Sequence, residues 1–171
     1  MSAVKVTMSL EQTQAVATAG LIRATRYTAQ FEGKTSHPNF GVKNRGLNWF
    51  EFVTAQCEAL AGELAVANYT KNPITDLANR NGSLIADVGR NIEVKFTSHQ
   101  NGHLIVDEAS NDDDVAVLVM GRNPHYYLIG WMPVKMAKVA KYRHSHRHGY
   151  WVAQSNLFEM ENLERSNYGK N

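Results

Sequence analysis

The feature that most constrains this chain is a change of hydrophobic period after residue 70. Residues 47–69, LNWFEFVTAQCEALAGELAVANY, space Phe50, Val53, Cys57, Leu60 and Leu64 by threes and fours, which predicts a long helix with one buried stripe. After TKNPITDLANRNG the period becomes two. SLIAD and NIEVKFTSH read as strands joined by a tight turn at Val88 to Asn91. HLIV, VAVLVMG and YYLIGWM read as further strands, separated by the acidic turn Asn111 to Asp114 and by RNPH. Upstream, Ser9 with Gln12 three positions on predicts a capping box for a first helix at about residues 10–29. Residues 31–46 lose all periodicity and read as a loop, whose Lys34, Lys43 and Arg45 suit phosphate contacts or plain solvation. Downstream, PVKMAKVAKYR reads as a short basic helix, GYWVAQ as a last strand, and residues 159–171 as a tail that begins amphipathic and ends disordered. Helices, then strands, then helix and strand predict a mixed α/β or α+β fold, in one domain spanning residues 1–171 with its core at 47–158.

Charge is segregated along the chain. Val115 to Phe158 contains no Asp or Glu, yet carries Arg122, Lys135, Lys138, Lys141, Arg143 and Arg147 with four histidines. Acids gather at the centre instead, from Glu51 to Asp114. That division suits a polyanion resting on the basic part beside an acidic pocket, or else a solvated basic helix. The one cysteine, Cys57, excludes an intrachain disulfide and a multi-cysteine zinc site, and reads as a buried thiol. Nothing resembles a signal peptide, and no apolar run approaches the ~20 residues of a membrane helix, so the expected compartment is the cytoplasm.

Three charges interrupt the strand pattern at Asp87, Glu93 and Lys95. Alternation puts Ile92, Val94 and Phe96 on one face and Glu93, Lys95 and Thr97 on the other. The strand ending at Asp87 returns through the turn, which brings Asp87 beside Glu93. Two close carboxylates suit a hard cation, Mg²⁺ or Mn²⁺, completed by water and a substrate phosphate; Lys95 would orient or deprotonate an attacking water. On the preceding helix Glu51 and Glu58 share a solvated face. Glu63 stands about 140° from Glu58, on the flank of the apolar stripe. An acid-x-Lys triplet alone says little, since Glu32-Gly33-Lys34 forms a second one in the loop. The competing reading is a hairpin with an ion pair on a wet face.

Helix, strands, Asp87 and Glu93-Val94-Lys95 in this order resemble the PD-(D/E)xK nuclease superfamily. Its core is helix, three strands, helix, strand. The resemblance implies that Asp87 and Glu93, with the Val94 carbonyl, bind the metal. It also implies that Lys95 serves the water and that Glu63 binds through water or assists a second ion. Ala86 stands where a proline is common in that superfamily. Residues 10–160 also resemble a group of small, mostly phage-encoded proteins through AGELAVANY, ADVG before the Glu-x-Lys strand, and LIGWM before a helix. The implied activity is metal-dependent hydrolysis of DNA phosphodiester bonds in a host cytoplasm, with a homodimer as a family expectation. The implied alternative is an inactive relative that binds nucleic acid or a host protein.

Lys135, Lys138, Lys141, Arg143, His144 and Arg147 are the expected contacts to the DNA backbone. In YRHSHRHGYW the alternating His144, His146 and His148 invite a zinc reading, but Arg143 and Arg147 beside them repel a cation, so a nucleic-acid-facing or polar loop is preferred. Tyr126, Tyr127, Trp131, Tyr150 and Trp151 suit base stacking or, as aromatic residues of strands more often do, packing.

Overall fold

The Ser9 hydroxyl accepts from the Gln12 N–H at 3.1 Å while the Gln12 side chain accepts from the Ser9 N–H at 3.0 Å, so the first helix starts with the expected capping box. The computed structural model describes residues 3–32, 46–75, 86–166 and 168. Helix α1 spans Leu10–Arg26, and a one-turn helix α2, Thr28–Phe31, follows. The expected single helix over 10–29 breaks at Tyr27, where the Thr28 hydroxyl takes the Thr25 carbonyl at 2.6 Å and competes with the helical ladder. Lys34, Lys43 and Arg45 lie outside the described residues.

Val16, Ala19, Gly20, Arg23 and Ala24 form the buried face of α1 at steps of three and one. This face meets helix α3, Trp49–Thr70. A Cβ on Gly20 would stand 2.4 Å from Cys57 Sγ and 2.9 Å from its Cα, so the helices touch where no side chain fits. On its other side α3 covers the sheet. Its buried surface is therefore broader than one stripe and is turned relative to expectation, centring on Phe52, Gln56, Leu60, Glu63 and Ala67. Phe50 is 81% exposed and Cys57, against Gly20 of α1, only half-buried. Glu58 is not on a purely solvated face either, since it accepts from the buried Tyr126 hydroxyl at 2.6 Å.

The molecule is α+β with a mixed sheet. Strands β1 (Val4–Thr7), β2 (Ile92–Thr97), β4 (Val115–Arg122) and β5 (His125–Pro133) lie in the order β1-β5-β4-β2. β2 runs parallel to β4; β5 is antiparallel to both its neighbours. β1 is too short to announce itself by periodicity. On the helix side, Val115, Val117 and Val119 join Ile92, Leu60, Ala65 and Val66 in one core. On the other side, Ala116 and Leu118 join Leu104, Val106, Val134, Ala137 and Val152 in a second. The second core is roofed by a ribbon of β3 (Leu104–Val106) and β6 (Tyr150–Val152), and by the one-turn helix α4 (Val134–Ala137).

The expected basic helix is therefore shorter than predicted. It stops after Ala137 because Val139 is extended, and a separate 3-10 turn occupies Ala140–Tyr142. The tail begins amphipathic as expected: Met160 and Leu163 of helix α5, Met160–Arg165, enter the helix-side core. Among the described residues no helix is long and apolar enough to cross a membrane.

Candidate active site

β2 takes its place through alternation. Ile92, Val94 and Phe96 pack into the helix-side core, which turns Glu93 and Lys95 to the opposite face, level with Ala116 and Leu118 of β4. β2 ends the sheet order among the described residues, so this face opens at the edge of the second core. Lys95 Nζ donates to Glu93 Oε1 at 2.6 Å and stands 3.7 Å from Asp107 Oδ2. The Ser110 hydroxyl adds a longer contact to the same Glu93 oxygen, 3.4 Å. Glu93 Oε2 is buried and has no hydrogen-bond partner among the described residues. Nearby, burial first and then the charges of Glu93 and Asp113 lift the Asp114 carboxyl above its ordinary pKa, against a hydrogen bond from Asn111.

Asp87 is held by the turn rather than by a strand. Residues 83–85 of the expected SLIAD strand lie outside the described residues, and Asp87 itself sits at a bend. Val88 and Ile92 exchange backbone hydrogen bonds at 3.0 and 3.2 Å around Gly89, whose φ of 59° is cheap only for glycine. The turn is as tight as five intervening residues require. It aims the Asp87 carboxylate at the strand, where Oδ2 accepts from the Val94 N–H at 2.7 Å, one peptide from Glu93.

Glu63 is buried, as its helical position suggests, but it is already partnered. Arg23 of α1 grips both its oxygens, Nη1 to Oε1 at 2.8 Å and Nη2 to Oε2 at 3.0 Å. Burial opposes the Arg23 charge, yet the hydrogen bonds and charge of Glu63, helped by Tyr27 and Asp87, raise its pKa above the ordinary value. Arg23, Glu63 and Asp87 are 4, 5 and 3% exposed, and the Arg23 guanidinium, bonded to Glu63, also feels the charge of Asp87. Among the described residues no three His, Cys, Asp or Glu side chains are grouped to hold an ion.

The basic segment divides in two. Lys138 is turned inward: its ammonium donates to the Glu108 and Ser110 carbonyls and pairs with Asp112 at 2.7 Å, closing the loop that carries Asp107 and Ser110. Arg143 pairs with Glu108 at 2.5 Å and reaches the Tyr150 hydroxyl. Lys135, Lys141 and Arg147 are exposed. His144 folds back on its own loop, Nδ1 accepting from the His146 and Arg147 N–H groups, and its ring lies 4.7 Å from Trp151.

Sequence reasoning missed Arg23, Asp107, Ser110 and Asp114. Arg23 was detectable, as an arginine in step with Val16, Ala19 and Gly20 on an apolar stripe. The other three arrive through the connection between the parallel strands β2 and β4, and periodicity carries no trace of where such a connection lands. Comparison of the chain with protein-family models, with curated proteins and with solved structures finds no match.

Proposed function

We propose that this protein is a metal-dependent nuclease that hydrolyses DNA phosphodiester bonds, built on a restriction-endonuclease-like core. The observation that carries the reading is Glu93 Oε2, a buried carboxylate oxygen without a hydrogen-bond partner among the described residues, on the strand whose Val94 N–H donates to the Asp87 carboxylate. A bare buried acceptor of this kind is costly and is the sort of atom that a cation satisfies. Mg²⁺ or Mn²⁺ asks for only one or two carboxylates, with waters and substrate phosphate completing the shell. Asp87 and Glu93 are the pair that would hold it. Glu63 does not fit as a direct ligand, because Arg23 occupies both its oxygens.

When bound, the ion would supply charge neutralisation at the phosphoryl oxygens and a more acidic water. The chain's own residues do the rest. Lys95, fixed between Glu93 and Asp107, presents a positive donor where a water or phosphate oxygen approaches. Arg23 holds Glu63 away from the pair and screens Asp87 from it. A second reading, a protein of the same fold that binds nucleic acid without cleaving it, is favoured by the same Arg23 clamp, because it removes one of the three expected carboxylates.

Incubation of circular duplex and circular single-stranded DNA with Mn²⁺, Mg²⁺ or EDTA separates the two. The nuclease reading expects metal-dependent nicking that falls roughly a hundredfold or more in Glu93→Gln and in Asp87→Asn, in line with loss of a charge-stabilising group. Binding without nicking by the wild type would leave the second reading.

A further inference from the structure

A groove of about 1170 Å³ runs along the β2 edge, between the start of α3 and the β3–β6 ribbon, and Lys95 lies in its lining. We infer that this groove takes single-stranded DNA, with bases stacked on Trp151 and Phe50 and phosphates met by Lys95, Arg122 and Arg147. The inference rests on the nucleic-acid reading above and names its substrate form.

The volume lies just above the ~300–1,000 Å³ of small-molecule sites and leaves room for a segment of a polymer. Its charges are complementary to a polyanion. Three basic side chains and two histidines line it against Glu51 and Glu58, and both acids are engaged within the fold. Glu51 caps α3 by accepting from the Asn48 N–H at 2.8 Å, and Glu58 accepts from Tyr126. Basic side chains thus outnumber acids in the lining, and of them Arg122 and Arg147 stand outside the Lys95–Glu93–Asp107 cluster.

The aromatic groups decide which polyanion. In the β3–β6 register Trp151 stands opposite Ile105, and both point away from the second core while Leu104 and Val152 point into it. The indole is fixed by its N–H to the His148 carbonyl at 3.2 Å, with the exposed Arg147 guanidinium 5.0 Å over the ring and the His144 and His103 rings 4.7 and 5.9 Å from it, so a base would take the place of one of these neighbours. On the helix side Phe50, 81% exposed, contributes a ring that supports no core. In a duplex the base faces are stacked on one another and cannot reach such rings; an unpaired strand offers every face. A base on the indole leaves Arg147 to turn to the adjoining phosphate, and the strand passes Lys95 between the two platforms.

The test measures fluorescence anisotropy of labelled oligo(dT) and of a hairpin duplex of equal charge, in EDTA so that no turnover intervenes. The wild type is expected to bind the single strand more tightly. Trp151→Ala and Phe50→Ala should each weaken that binding about tenfold while Trp151→Phe keeps most of it. Phe50→Ala guards against misfolding, since so exposed a ring leaves the core intact. Equal affinity for duplex and single strand, or unchanged affinity in both alanine variants, overturns the inference, as does tighter binding of oligo(U). A wild type that holds oligo(dT) with these losses yet cleaves nothing with Mn²⁺ fails the nuclease reading and supports the groove. One that cleaves duplex and shows no single-strand preference does the reverse.

Discussion

Arg23 and Glu63 are the residues on which the site's electrostatics turn. A buried ion pair costs desolvation on both sides, so its loss depends on how it is lost. Arg23→Met alone leaves the buried Glu63 and Asp87 carboxylates without their guanidinium, and a destabilisation of about 3–5 kcal/mol is expected. The double variant Arg23→Met/Glu63→Leu should recover most of that loss in urea unfolding; a double variant as unstable as the single one would contradict the pairing. Cys57 makes a pH prediction of the same kind. Burial first, and then the charge of Glu58, hold its thiol above the usual pKa, with the residue's own backbone hydrogen bond opposing. The neutral thiol is therefore kept at pH values where an ordinary cysteine, with a pKa of about 8.5, is already half thiolate. Alkylation of the folded protein should rise with pH along a curve displaced to higher pH than that of the urea-unfolded chain. Coincident curves would remove the effect.

At the scale of elements, the sequence was legible wherever period and burial agree. The cap at Ser9 and the alternation along β2 follow from side-chain chemistry and hydrophobic spacing alone, whereas the Asn48 cap falls inside the helix expected from residue 47. α3 was placed well but turned wrongly, because a helix packed on two sides has no single stripe, and Phe50 is the residue that paid. The Glu93–Lys95 pairing was foreseeable because both lie on one face of one strand. The roof over them was not: β3, β6 and the Asp107–Asp114 loop meet only in the tertiary fold. Lys138 belongs to that roof, and its expected contact with DNA gives way to three acceptors in the loop. Lys138→Met should lower stability by about 1–3 kcal/mol while leaving the salt slope of DNA binding unchanged. Arg147→Gln should reduce that slope by about one. A slope that falls with Lys138→Met would return the lysine to the phosphate backbone.

For the whole molecule, two apolar cores share one sheet, and their arrangement separates what holds the fold together from what faces a ligand. β4 is covered on both faces and flanked by strands on both edges, and apart from Arg122 at its very end it supplies no side chain assigned to a ligand. β2 supplies Glu93 and Lys95 and lies at the margin. Amide hydrogens exchange through openings whose cost follows this kind of covering. The slowest-exchanging amides should therefore be those of Ala116 to Val119, and the outward-facing amides of β2 should exchange at far lower cost. The strand that would handle a substrate can then loosen at its outer margin without opening the strand that keeps the protein folded. Substitutions that retune the one need not be tolerated by the other.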